Sequence, residues 1–213
     1  MSSNPKWESS HLYCRSKENR NMTLGIVFMA SGFGRRFGSN KLLHPLAGKP
    51  LYTYALSNLL KAANELKTDI TVRITVVSQY DEILADAEKG GAIAVHNPES
   101  DKGITASIKL GINCLPKSDN YAFFVADQPY FKAETASAFV RRFLASVRTI
   151  GCVTDGNTCG NPVIFNHIYL PELLALEGDR GGKQVVSRHP EEVFYYQVNS
   201  QELLDLDMPE DFN

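Results

Sequence analysis

The amino-acid sequence predicts an α/β protein: a single domain with a doubly wound, mostly parallel sheet of the Rossmann-like type. Apolar, β-branched runs alternate with segments of helical periodicity from residue 23 onwards. The first run, residues 24–31, shows no polar alternation, which is typical of a strand buried on both faces. A length of 213 residues suits one sizeable domain, and no stretch has the composition of a linker.

Local patterns predict the remaining elements. Pro50 opens the first helix, because a proline there loses no hydrogen bond. Gly90 and Gly91 end the helix of residues 81–89. Further helices are predicted at residues 104–114 and 133–146. Further strands are predicted at residues 71–78, 92–96, 121–126, 149–154, 162–165 and 193–198.

We expect residues 1–22 to form a disordered N-terminal extension and residues 23–213 to form the folded domain. The first stretch is polar and lacks the apolar region of a signal peptide. The apolar run of residues 26–30 is too short to span a bilayer. The four cysteines form no C-x-x-C pair, which favours reduced thiols. A cytoplasmic protein without a membrane partner is the expectation.

The charge distribution argues against a nucleic-acid partner. The formal net charge is -2, and the basic residues are either dispersed or gathered in one short loop. Nucleic-acid binding requires Lys and Arg along a whole face. The sequence therefore favours a small phosphorylated ligand.

That basic loop follows the first predicted strand. Its three glycines allow a sharp turn that brings backbone N–H groups close to a ligand, and its cations suit a triphosphate. A Walker A loop needs Ser or Thr after Gly-Lys, and a dinucleotide fingerprint needs a shorter glycine spacing, so neither motif fits. The predicted nucleotide-binding residues of the loop are Ala30, Ser31, Gly32, Gly34, Arg35, Arg36, Gly38 and Lys41.

Two acidic positions are candidates for metal binding. Asp127 comes directly after a predicted buried strand, where a carboxylate can join substrate phosphates and water around Mg²⁺. A helix cap or turn is the alternative role for Asp127. Residues 205–211 form a second acidic cluster, which by itself also fits a helix-starting tail.

Polar residues after other strands complete the predicted site. Asn97 ends the third strand, and Gly103 and Ser107 open the next helix, whose N-terminus can face a nucleotide. A simple capping turn is the alternative. Ser78, after the second strand, is predicted to border the base.

These motifs, in this order, resemble the MobA-like nucleotidyltransferases and, within that group, the molybdenum cofactor cytidylyltransferases. Ser31 and Phe37 depart mildly from the family pattern, and Ser31 does not match the Ala-Gly-Gly of the guanylyltransferases. The motifs are Ala30-Ser31-Gly32-x-Gly34-x-Arg36-x-Gly38-x-x-Lys41, then Leu46-x-Gly48-Lys49-Pro50-Leu51, Asp127-Gln128-Pro129, Gly160-Asn161-Pro162-Val163, Gly178-Asp179-Arg180-Gly181 and the closing run from Asp205 to Asp211.

The resemblance implies transfer of CMP from CTP to a molybdopterin cofactor, with a receiving molybdoenzyme or its chaperone as a further partner. It assigns Mg²⁺ to Asp127 and Asp207, and catalytic roles to Arg36, Lys41 and Asp127. It implies that Ser78, Asn97, Gly103 and Ser107 surround the base and ribose. The implied acceptor-binding residues are Gln128, Asn161, Pro162, Asp179 and Gly181, with Asn161 in place of the family's histidine.

Two alternatives remain at this point. One keeps the chemistry but changes the substrates, as in a guanylyltransferase or a sugar- or polyol-phosphate nucleotidyltransferase. The other is a non-catalytic nucleotide sensor or cofactor chaperone. The presence of Lys41, Asp127 and Asp207 together argues against the second.

Overall fold

The computed structural model describes residues 22–32, 40–178, 181–207 and 211, and this part of the chain is built around one seven-stranded sheet with helices on both faces. The strands are β1 Thr23–Ala30, β2 Pro45–Leu46, β3 Lys49–Pro50, β4 Thr71–Ser78, β5 Ile93–His96, β6 Asn120–Val125, β7 Ile150–Thr154, β8 Cys159–Asn166 and β9 Val193–Gln197. The helices are α1 Leu51–Leu66, α2 Asp81–Lys89, α3 Ile104–Cys114, α4 Ala133–Ala145, α5 Leu170–Leu174 and α6 Lys183–Arg188. Strands β2 and β3 pair as a separate small ribbon before α1.

The strand order of the large sheet is β5-β4-β1-β6-β8-β7-β9. Neighbouring strands are parallel except for β8, which runs antiparallel to both β6 and β7. The tight turn before β8 explains its direction: Asp155 accepts hydrogen bonds from the N–H groups of Asn157 and Thr158, and Gly156 has a φ of 98°. A connection this short can join only antiparallel strands. The mostly parallel sheet predicted from the sequence is confirmed.

Strand β1 lies in the interior of the sheet, between β4 and β6, and faces a hydrophobic core on each side. Leu24, Ile26 and Phe28 pack with α1, α2 and α4 on one face. Val27 and Met29 pack with α3, α5 and α6 on the other face. Burial of each such side chain stabilises the fold by about 1.5–3 kcal/mol. This two-sided burial accounts for the uninterrupted apolar run in the sequence.

None of the helices in residues 22–32, 40–178, 181–207 and 211 is long and apolar enough to cross a membrane.

Helix α3 approaches β1 closely at Gly111. A Cβ atom at this position would lie 2.3 Å from Val27 Cγ1, so a larger side chain would force the helix away from the strand. This contact fixes the distance of α3 from the sheet, and α3 carries part of the candidate site at its other end.

We predict that Gly111→Ala lowers the free energy of unfolding by roughly 1–2 kcal/mol, since overpacking outweighs the gain in helix propensity. Denaturant unfolding would measure the change. Asn113→Ala is the matched control, because Asn113 is exposed on the same helix and its replacement should raise stability by about 0.5 kcal/mol. Equal stability of Gly111→Ala and wild type would contradict the packing argument.

Candidate active site

The parallel strands β1, β4, β5 and β6 end at one edge of the sheet, where α/β proteins bind their ligands. Ser31 follows β1, Asn97 follows β5 and Asp127 comes shortly after β6. Residues that are far apart in sequence therefore meet at this edge.

A pocket of about 470 Å³ opens there, a volume that suits a small organic ligand. Ser31, Gly32, Lys41 and Asp127 line it from the β1 and β6 ends. The chain between β5 and α3 contributes Ser100, Asp101, Lys102 and Gly103, and α3 itself contributes Ser107. Of the described residues that were predicted to bind nucleotide, Ser31, Gly32, Lys41, Gly103 and Ser107 line this pocket.

Lys41 joins the two predicted metal-binding aspartates. Its Nζ atom donates a hydrogen bond of 2.8 Å to Asp127 Oδ2 and a second hydrogen bond to Asp207 Oδ1. Lys41 is 7% exposed, so its ammonium group sits in a partly dry environment. Burial alone would lower the pKa of Lys41, but Asp127 and Asp207 outweigh burial and hold the pKa above its usual value. The lysine is therefore charged.

A local cap positions Lys41. The segment Lys41–Leu43 is one turn of 3-10 helix, and the Asn40 side chain accepts a hydrogen bond of 3.1 Å from the Leu42 N–H at its start. Leu42 is 2% exposed and belongs to the core beneath α1. Capping and burial together direct the neighbouring Lys41 side chain towards Asp127.

The C-terminal segment reaches the site through contacts with the Asp127-Gln128 pair. The Leu206 N–H donates to the Asp127 carbonyl at 3.1 Å, and Gln128 Nε2 donates to Asp205 Oδ1 at 2.8 Å. Leu206 is 1% exposed and packs in the core. These contacts deliver Asp207 to Lys41.

Glu202 fixes the same segment further upstream. Its buried carboxylate accepts a hydrogen bond of 3.3 Å from the Lys132 N–H, at the start of α4. A carboxylate is stabilised at a helix N-terminus by the unpaired N–H groups and the helix dipole. The segment is thus held at both Glu202 and Asp205.

The chemistry of Asp127 and Asp207 fits a hard divalent cation. Both present carboxylate oxygens, and both contact one ammonium nitrogen, so they lie close enough to share a single cation. No group of three or more His, Cys, Asp or Glu side chains arranged for a metal occurs in the described part of the chain. Two carboxylates with substrate phosphates and water form the usual ligand set of Mg²⁺.

Several predicted residues support the pocket from behind. Ser78 is fully buried, and its hydroxyl donates to the Ala30 carbonyl at 2.9 Å. Asn97 is also fully buried, and its Nδ2 donates to the Ser107 hydroxyl at 3.1 Å. The structure thus gives Ser78 a backbone contact and makes Asn97 the residue that orients Ser107.

The predicted acceptor-binding residues lie in different surroundings. Asn161 and Pro162 belong to β8, and the pairing of Val163 with Phe123 places Asn161 at the same sheet edge as Asp127. At Gly181 a Cβ atom would lie 3.7 Å from Ile104, which lines the pocket. Gln128 is buried against the C-terminal segment.

Five predicted residues lie outside the described part of the chain. They are Gly34, Arg35, Arg36, Gly38 and Asp179.

Sequence reasoning missed part of the pocket wall. Ser100, Asp101 and Lys102 form a 3-10 turn directly before Gly103 and line the pocket. Only their position beside the predicted Gly103 indicated a role at the pocket. Each of these polar residues is by itself typical of a surface turn.

A family model for the MobA-like NTP transferase domain matches residues 26–193. The chain belongs to this family. The matched residues form a nucleotidyltransferase domain, and the pocket at the sheet edge is its candidate active site.

This chain covers nearly all of one curated relative and less than a third of another. The purine catabolism protein PucB of Bacillus subtilis is 25% identical over 199 residues, which are 88% of this chain and 93% of PucB. The bifunctional protein GlmU of Xylella fastidiosa strain 9a5c is 30% identical over 151 residues, or 69% of this chain. Those residues are only 30% of the length of GlmU.

Solved structures share the fold. Rv0371c of Mycobacterium tuberculosis has a TM-score of 0.71 at 21% identity, covering 90% of this chain and 96% of that protein. The same protein has been solved in complex with manganese, with a TM-score of 0.70 at 19% identity and the same coverage. The 4-diphosphocytidyl-2C-methyl-D-erythritol synthase of Anaerococcus prevotii has a TM-score of 0.69 at 14% identity, covering 93% of this chain and 95% of that protein.

We predict that Gln128→Met loosens the C-terminal segment, because it removes the amide that binds Asp205. The free energy of unfolding should fall by about 1 kcal/mol, and the Leu206 amide should exchange its hydrogen faster. Hydrogen–deuterium exchange would measure the second effect. Gln201→Met, on the exposed side of the same segment, is the control and should change neither quantity. If the Leu206 amide of Gln128→Met exchanges its hydrogen at the wild-type rate, the hydrogen bond between Gln128 and Asp205 does not hold the C-terminal segment in place.

Proposed function

We propose that this protein transfers CMP from CTP to a molybdopterin-type molybdenum cofactor and releases pyrophosphate in a Mg²⁺-dependent reaction. The convergence of Lys41, Asp127 and Asp207 at the pocket carries the proposal. These charges lie next to Ser31 and Gly32, where the glycine-rich segment begins. A triphosphate bound at Ser31 and Gly32 would lie close to Lys41, which lines the same pocket.

The chemistry is a displacement at phosphorus that needs no protein nucleophile. An oxygen of the acceptor's terminal phosphate forms a bond to the α-phosphorus of CTP. The bond from that phosphorus to the bridging oxygen breaks, and pyrophosphate leaves with the electron pair. Such reactions depend on alignment of the two substrates and on neutralisation of charge.

The roles of the residues follow from their positions. Lys41 would neutralise charge at the α-phosphate, since its ammonium is held at the pocket wall beside Asp127. Arg36 and the segment from Gly32 to Gly38 keep the role that the sequence predicts, which is binding of the β- and γ-phosphates. Asn97 would orient Ser107 towards the nucleoside.

Asp127 and Asp207 would hold the divalent cation. When bound, Mg²⁺ neutralises negative charge on the phosphates and helps to align them. The manganese complex of Rv0371c supports the use of a divalent cation by this fold.

Two observations support cytidine and molybdopterin as substrates. The ordered motifs resemble the molybdenum cofactor cytidylyltransferases, and Ser31 departs from the guanylyltransferase pattern. A cytidyl-transferring protein, the synthase of Anaerococcus prevotii, shares the fold. That synthase also favours a second candidate, a polyol-phosphate cytidylyltransferase.

A substrate matrix tests the proposal. CTP, GTP, ATP and UTP would each be incubated with molybdopterin cofactor, a sugar 1-phosphate or a polyol phosphate, and pyrophosphate release would be measured. We expect release only with CTP and molybdopterin, and loss of that release on chelation of divalent cations. Release with a polyol phosphate would establish the second candidate, and release with GTP would establish a guanylyltransferase. Nucleotide binding without release from any pair would indicate a sensor or chaperone.

We predict that Asp127→Asn reduces turnover by roughly 10²–10³-fold while the protein stays folded, because the amide cannot balance a divalent cation and its phosphates. Steady-state rates with CTP and molybdopterin would measure the loss, and circular dichroism would check the fold. Asp81→Asn, an exposed aspartate at the start of α2, is the control and should retain wild-type turnover. Near-normal turnover by folded Asp127→Asn would rule out the metal-binding role.

A further inference from the structure

The ends of β1 and β4 are joined by side chains beyond the last strand residues. Within the sheet, Ala30 pairs with Ser78. The carbonyls of Ala30, Ser31 and Gly32 accept hydrogen bonds from the side chains of three consecutive residues of the other strand's end. The donors are Ser78 Oγ at 2.9 Å, Gln79 Nε2 at 3.0 Å and Tyr80 OH at 3.1 Å, respectively.

These three hydrogen bonds extend the pairing of β1 with β4 beyond the last strand residues. Their donors are side chains, in place of the backbone N–H groups of a regular sheet. A further bond runs the opposite way, since Ser31 Oγ donates to the Val77 carbonyl at 3.0 Å. The chain after β1 can therefore leave the sheet and turn towards the pocket without unpaired carbonyls.

The contacts also fix the direction of the peptide N–H groups. In a trans peptide the N–H of one residue points opposite to the carbonyl of the residue before it. With the carbonyls of Ala30 and Ser31 held towards the end of β4, the N–H groups of Ser31 and Gly32 point away from it. Ser31 and Gly32 both line the pocket. Successive N–H groups held in this way attract anions.

Tyr80 is itself fixed in place. Tyr80 is the N-terminal cap residue of α2, its N–H donates to Ser78 Oγ at 3.1 Å, and its ring packs against the core. Burial raises the pKa of the Tyr80 phenol, so the hydroxyl remains a donor at neutral pH. The support for the loop is thus anchored to both the sheet and a helix.

We propose that Gln79 and Tyr80 are positioning residues, which hold the entry of the phosphate-binding loop at Ser31 and Gly32 in the orientation that binds the triphosphate. Neither side chain is assigned to the nucleotide itself. This inference rests on the proposed placement of the triphosphate along that loop.

The test compares affinities for the phosphate part and the nucleoside part of the substrate. Tyr80→Phe and Gln79→Met each remove one donor to a loop carbonyl and preserve side-chain size. Calorimetry would give the Kd of tripolyphosphate, CTP and cytidine, each in the presence of Mg²⁺. Tyr54→Phe is the matched control, because it removes a phenol-to-carbonyl bond of 2.7 Å to Leu46 in the small β2–β3 ribbon.

We expect each of the two variants to weaken tripolyphosphate and CTP binding about fivefold, the usual effect of one hydrogen bond. The Kd of cytidine should stay within twofold of wild type. The KM for CTP should rise while kcat at saturating CTP stays within twofold. Tyr54→Phe should leave all three affinities unchanged, although it can lower Tm by as much as Tyr80→Phe.

Three outcomes would overturn the inference: unchanged tripolyphosphate affinity, equal weakening of cytidine, or equal weakening by Tyr54→Phe. If Gln79→Met fails to fold, Tyr80→Phe decides alone. If instead the proposed function is wrong, molybdopterin receives no CMP. Tripolyphosphate then still binds, and its affinity is still lower for Tyr80→Phe than for Tyr54→Phe.

Discussion

The contact of Lys41 with Asp127 and Asp207 is the interaction on which the site depends. It joins three parts of the chain: the turn after the glycine-rich segment, the end of β6 and the C-terminal segment. Two carboxylates placed side by side repel each other, and a buried lysine without a partner is costly. The ammonium of Lys41 therefore depends on the two carboxylates, and it reduces the repulsion between them. The same requirement makes the segment around Gln128, Asp205 and Leu206 part of the site, since it sets the position of Asp207.

The sheet determines where this cluster can form. Parallel strands bring their carboxyl ends to one edge, so Ser31, Asn97 and Asp127 become neighbours. Strand β8 has the opposite direction, and it therefore contributes its beginning to that edge. Asn161 lies at this edge for this reason. The predicted acceptor residues Asn161 and Pro162 thus come from the beginning of a strand, whereas Ser31, Asn97 and Asp127 follow the ends of strands.

The sequence predicted the elements that depend on local pattern. The bounds of α2, α3 and β4 agree with residues 81–89, 104–114 and 71–78, because glycine, proline and β-branched runs mark them. Side-chain contacts between distant segments were not predictable. Gln128 follows the predicted metal-binding aspartate in the motif, yet its partner lies 77 residues away at Asp205. Gln79 and Tyr80 carry no motif, and only the register of β1 against β4 reveals their contact with the loop.

The charges at the site lead us to expect that a nucleotide needs a cation to bind there. Lys41 has three N–H donors, and two of them already go to Asp127 and Asp207, so at most one is left for a phosphate. The two carboxylates together outweigh the single ammonium by one negative charge. Like charges 4 Å apart repel by roughly 4 kcal/mol at an effective dielectric constant of about 20, and a triphosphate brings several. A divalent cation shared by the carboxylates and the phosphates reverses this balance, so metal and nucleotide should bind together more strongly than either does alone.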